Sequence, residues 1–116
     1  MDIIAFLLFF HYIGSMTVTL QVHKIPKILA WKGLIGSKPQ PILFKTRFGI
    51  HTIGVRYPID VIILDRKNIV QKIKEGLQPN SLFFWNPSFN KVVELPHGTI
   101  KDKKLKINQK IALEYI

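Results

Sequence analysis

The longest regular pattern away from the N-terminus lies in residues 48–65, FGIHTIGVRYPIDVIILD. Read at period two, Ile59, Val61 and Ile63 share one strand face and Asp60, Ile62 and Leu64 share the other. Both faces are apolar apart from Asp60, which predicts a strand buried on both sides. Tyr57-Pro58 comes just before it. The proline removes a ladder donor and holds Tyr57 extended, which suits the entry of a strand and not its middle. Asp65-Arg66-Lys67-Asn68 closes the strand with turn chemistry, and residues 69–73 are expected to return as its hairpin partner. Upstream, Gly49 and Gly54 flank His51-Thr52-Ile53 and predict a bulge or a close backbone approach.

Shorter patterns fill the rest of the chain. Residues 16–22 (MTVTLQV) alternate strictly, Val18, Leu20 and Val22 facing one way and Thr17, Thr19 and Gln21 the other. Pro26 suits the first turn of a helix, with Ile28, Leu29, Trp31 and Leu34 at helical spacings and Gly33 or Gly36 to end it. Residues 37–41 are a proline-rich loop, and 42–45 a short strand. A turn-rich connection is expected at 75–80. The aromatic segment 81–89 (SLFFWNPSF), interrupted by Pro87, is expected to pack over the core rather than stack on bases. Residues 91–95 read as a strand ended by Pro96-His97-Gly98. Thr99, with Asp102 three residues on, is expected to cap a single helical turn. Asn108-Gln109 is a turn and 110–115 the last strand. The predicted fold is mainly β (α+β): a small single-domain β-sandwich or barrel with one or two short helices.

Residues 3–13 form an apolar run broken by His11. At ~1.5 Å per residue a helix of this length reaches about half of a bilayer core. The reading adopted is an upstream extension at 1–15, a true start at Met16 and a domain at 16–116. A weak signal or anchor, or an apolar helix packed on the domain, are the other readings. Membrane contact would run through residues 3–13. A cytoplasmic location is favoured, with anchoring or export following if 1–15 is a signal.

Composition narrows the chemistry. The 116 residues make one domain with room for a core. The chain has no cysteine, which removes disulfides, thiolate nucleophiles and thiolate metal sites. Its net charge of +10 would attract nucleic acid, anionic lipid or acidic partners. The lysines are dispersed, however, so the charge is read as a solvated surface and nucleic acid as a disfavoured partner.

Four blocks follow one another along the chain. They are Trp31-Lys32-Gly33-Leu34-Ile35-Gly36; the run from Ile50-His51-Thr52 through Arg56-Tyr57-Pro58-Ile59-Asp60 to Asp65; Val93-Glu94-Leu95-Pro96-His97-Gly98; and Lys106-Ile107-Asn108-Gln109. Together they resemble the family known as domain of unknown function 192 (DUF 192), over about residues 16–116. The His-Thr to Pro-Ile-Asp block is the specific one. The chain departs from the family pattern at Thr46, where related sequences often carry a cysteine, and at Ile53-Gly54-Val55, where Phe-Gly-Met is usual. It departs again at His97-Gly98, in place of alanine-glycine, and at Asn108-Gln109, in place of Gly-Asp. The resemblance implies a compact β-sandwich or barrel with a helix or two. The family has no established activity, so no catalytic role is carried over.

The candidate chemistry lies in the central stretch. A carboxylate on an apolar strand is costly unless paired or hydrogen-bonded. Asp60 is therefore expected to accept backbone N–H groups or Arg56; the functional alternative is an acid or base with a raised pKa. His51-Thr52 reads equally as a base and hydroxyl at a cleft or as a satisfied polar pair. Glu94 is expected to be structural, pairing with Arg56 or a lysine, and Asp65 to be structural in its turn. No serine sits in a nucleophile elbow. A histidine metal site would need His51, His97 and a carboxylate to converge, and no metal or cofactor is expected. The leading expectation is a non-catalytic domain that binds a small molecule or peptide in a polar pocket around His51, Thr52, Arg56 and Asp60. The alternatives are an enzyme with Asp60 and His51 as acid and base, and a basic binder of nucleic acid or anionic surfaces.

Overall fold

The computed structural model describes residues 17–27 and 40–116. The predicted N-terminal extension, the helix expected after Pro26 and most of the proline-rich loop lie outside these residues. Eight strands are described: β1 Thr17–Lys24, β2 Ile42–Lys45, β3 Gly49–His51, β4 Ile59–Leu64, β5 Val70–Leu77, β6 Leu82–Phe84, β7 Lys91–Pro96 and β8 Lys110–Tyr115. One short helix, α1 Thr99–Asp102, lies between β7 and β8. The domain is mainly β, as the alternation predicts.

Six strands form one sheet in the order β5-β4-β7-β2-β1-β8, and β3 pairs with β6 in a separate two-stranded antiparallel sheet. β4 is an interior strand, antiparallel to β5 on one side and to β7 on the other. All six of its residues are buried. Ile59, Val61 and Ile63 enter one core cluster, with Phe44, Phe83, Trp85 and Val92. Ile62 and Leu64 enter the other, with Leu20, Leu95, Ile100 and Ile111. Fully burying such a side chain contributes about 1.5–3 kcal/mol, so the strand anchors both halves of the core.

The sheet curls into a half-barrel because its two edge strands meet at one end. Val70 N donates to Gln109 O at 2.9 Å, Asn108 N to Val70 O at 2.8 Å and Ile111 N to Asn68 O at 2.9 Å. Asn68 and Asn108 both take positive φ here, 62° and 70°, a conformation asparagine tolerates better than most residues. The β3–β6 ribbon, with Trp85 just after it, covers the first cluster with Ile50, Phe83 and Trp85. Gly49 is the predicted close approach: a Cβ there would stand 2.6 Å from Phe84 Cδ1 and 2.8 Å from the Phe83 carbonyl oxygen.

Three local expectations change. β5 runs on to Leu77, through residues expected to form a turn, because β4 supplies partners as far as Ile59 opposite Leu77. β1 extends to Lys24, where β2 pairs with it. Thr99 does not cap the helix. The N-cap is Gly98, without a side-chain cap, and Thr99 Oγ1 donates to Pro96 O at 2.6 Å.

Candidate functional site

Asp60 has no exposed surface. Its Oδ1 accepts from Gly76 N and meets His97 Nδ1, both at 2.9 Å; its Oδ2 accepts from Gly98 N and Ile100 N, both at 3.0 Å. Local geometry aims these donors. Ile59 pairs with Leu77 and Val61 with Lys74, so Asp60 faces two residues of β5, Glu75 and Gly76, in a bulge. Gly76 takes φ +61° and Gly98 φ +99°, backbone that glycine adopts without a Cβ penalty. Burial by itself would raise the Asp60 pKa. The hydrogen bonds from His97, Ile100, Gly76 and Gly98 outweigh it and hold the carboxyl below its ordinary value. The raised pKa of the acid–base alternative is thus not found; the expected acceptance of backbone N–H groups is. Asp60 caps α1 from across the fold and pins the corner 96–100.

The imidazole on Asp60 is His97, not His51, and Arg56 is not among its partners. The His97 side chain is 55% exposed, with its ring over Gly76. Thr52 is buried and fully engaged: Oγ1 donates to Gln78 O at 2.6 Å and accepts from Ser81 N at 2.9 Å, clamping the β5–β6 turn. His51 and Arg56 are exposed, and His51 Nδ1 accepts from Ile53 N at 3.3 Å. Asp65 accepts from Lys67 N, Ile69 N and Gln71 Nε2 within its turn. None of His51, Thr52, Arg56 and Asp60 lines either of two cavities formed by described residues.

Glu94 departs from the expectation of an ion pair. It is 5% exposed on β7, opposite Ile42 and Val61, and its Oε2 has no hydrogen-bond partner. Burial pushes its pKa up to about 8, so it is mostly a neutral acid at pH 7.

The larger of the two cavities is a groove of about 370 Å³ beside β1, within the ~300–1,000 Å³ range of small-ligand sites. Leu20, Pro41 and Leu95 supply its apolar part. Thr19, Gln21, Thr99, Lys103 and Glu114 supply polar groups. Two of these ride on the α1 turn, so the corner pinned by Asp60 forms one wall. The other wall is β1, whose backbone alternates. Val22 O accepts from Ile116 N, on the β8 side, whereas His23 N donates to Pro41 O, on the β2 side. Odd-numbered residues therefore turn their N–H and C=O toward β2. The ladder stops at Pro41, which has no N–H to give Gln21. Among the described residues no strand pairs with this edge of β1 before His23. The candidate residues named from sequence miss this groove. The signals that bear on it are Pro41 and the exposed alternation of Thr17, Thr19 and Gln21.

No protein-family model matches the chain, and no curated protein matches it. Two solved structures resemble it. One is a candidate transcription regulator from Sinorhizobium meliloti, with a TM-score of 0.67 and 17% identity over 77% of this chain and 78% of that one. The other is a protein of unknown function from Novosphingobium aromaticivorans, with a TM-score of 0.61 and 15% identity over 77% of this chain and 70% of that one. At these identities the likeness shows the fold, a small β domain, and no more.

Proposed function

We propose that this chain is a non-catalytic binding domain of the DUF 192 kind, and that it takes a small molecule or a peptide segment. The observation that carries the reading is the groove beside β1. It joins apolar floor residues to a few polar groups from three elements, the usual composition of a ligand site. Its α1 wall is held by a buried carboxylate with four partners, which gives the preorganisation that affinity needs. The test is a thermal-shift screen of fragments and short peptides, since a bound ligand raises the melting temperature by mass action. Hits should move the amide resonances of Gln21, Thr99 and Lys103. Hits confined to other surfaces would reject the groove.

A second reading, acid–base chemistry, draws on the Asp60–His97 contact, with His97 in the place first given to His51. A buried carboxylate that orients a half-exposed imidazole suits proton transfer. Turnover in a panel of ester and phosphoester substrates, lost on His97→Gln, would favour it. A nucleic-acid partner draws less support. Phe83 and Trp85 are buried, which leaves Phe84 alone of the aromatic trio to stack on a base.

A further inference from the structure

We infer that the groove takes its partner by strand addition: an extended peptide pairs its backbone with the edge of β1 before His23, which no other described strand pairs. The inference rests on the binding reading above and narrows it to one class of ligand. From Thr17 to Val22, β1 is paired on its other side with β8, Thr17 opposite Lys110 and Val22 opposite Tyr115. It is thus a formed strand, held straight and in register, with one row of backbone groups facing the groove. Those groups belong to Thr19 and Gln21, with Thr17 just beyond the groove on the same edge. A compact small molecule would satisfy few of them; a peptide strand continues the ladder that Pro41 ends. The edge from Thr17 to Gln21 spans roughly 13 Å at about 3.3 Å per residue, the reach of a peptide of five or so residues.

The walls say which side chains such a peptide carries. α1 delivers Ile100 to the cluster that holds Leu20 and Leu95, so Thr99 and Lys103 lie on that face of the sheet. Thr19 and Gln21 alternate with Leu20 and lie on the opposite face, with Glu114 in register beside Gln21. A bound strand therefore turns alternate side chains to different chemistry. Those on the α1 side meet Lys103 and apolar Leu95, and suit an acidic or apolar residue. Those on the outer side lie beside Thr19 and Gln21, with Glu114 one strand further on, and suit a polar or basic one. Lys101 and Lys104, exposed beside Lys103, strengthen the preference for acid on the α1 side. Proline at a pairing position would be excluded, because it lacks the donor the edge requires.

The experiment uses an array of random eight-residue peptides probed with the full chain. The tightest binder is then made with single N-methyl groups at each backbone amide in turn. Strand addition predicts a loss of about tenfold or more in affinity for methylation at alternate amides, the equivalent of one hydrogen bond, and little change between them. It also predicts slowed hydrogen exchange at the Thr19 and Gln21 amides, and weaker binding by Lys103→Glu, an exposed position that should leave folding intact. A uniform response to methylation, with groove resonances still moving, would overturn strand addition and leave the binding reading standing. Silence of the groove resonances toward both peptides and fragments would overturn both. Concentration-dependent dimerisation with the same shifts at Thr19 and Gln21 would assign the edge to a second copy of the chain, and would also overturn it.

Discussion

Replacing Glu94 by glutamine should remove a pH dependence that burial has built into the fold. The unfolded carboxyl has an ordinary value of 4.5 and the folded one is pushed up to about 8. Between those values the folded chain holds a proton that the unfolded chain has lost. Stability is therefore highest below pH 4.5, falls as pH rises and levels off above about 8. The slope is about 1.4 kcal/mol per pH unit, so the step from pH 5.5 to 7.5 costs about 3 kcal/mol from this residue. That is a large part of the ~5–15 kcal/mol of a typical domain. Glutamine has the same shape and does not titrate. Glu94→Gln should match the wild type near pH 5 and exceed it progressively toward pH 8. Glu94→Met, which also removes the unpartnered Oε2, should be at least as stable at every pH. Urea melts of the three proteins at half-unit pH steps measure this directly. Parallel wild-type and Glu94→Gln stabilities across pH 5–8 would mean that Glu94 is solvated or paired in solution, and would refute the reasoning.

Other outcomes follow from Asp60, from the core and from Gly49. Asp60→Ala strands three backbone donors and should cost at least about 3 kcal/mol in denaturant melts, while Asp60→Asn should cost about 1.5–3 kcal/mol; a more stable Asp60→Asn protein would contradict the hydrogen-bonded role. Because the folded Asp60 pKa lies below 3.8, its contribution is complete above that pH and is lost as pH falls below it, so the Asp60→Asn difference should shrink in acid. Ile63→Ala, at a position with no exposed surface, should destabilise by ~2–5 kcal/mol, and a cost under about half a kilocalorie would place β4 at the surface. Gly49→Ala should cost ~1–3 kcal/mol and should stay costly in a Phe84→Ala background, because the Phe83 carbonyl oxygen at 2.8 Å is backbone and does not move aside with the ring.

The parts of the fold that were legible in sequence depend on neighbours along the chain. Both faces of β4 could be read because the side-chain period of a strand is local, and Pro58 and Asp65 bracket it. Asp60 could be singled out because a carboxylate on such a strand must find partners, but the partners were out of reach. Gly76, His97, Gly98 and Ile100 lie 16, 37, 38 and 40 residues away. The same distance explains why Thr99 was misread as a cap: Asp60 already occupies the helix N-terminus, and the hydroxyl turns back to Pro96 instead. β5 outruns the expected 69–73 because Glu75-Gly76, at the head of the expected turn at 75–80, carries a turn residue that becomes a bulge once β4 lies beside it. Glu94 was read as paired because cost alone argues for a partner, and none is present on its Oε2. The groove was the least legible feature, since it depends on where β2 begins relative to β1. Asp60 links these levels. It does not line the groove, although it pairs across β4 and β7 with the floor residue Leu95, and it fixes the corner that carries Thr99 and Lys103. A substitution there that left the chain folded would loosen one wall of the groove while β1 kept the other, so impaired ligand binding at Asp60 would report positioning and not contact.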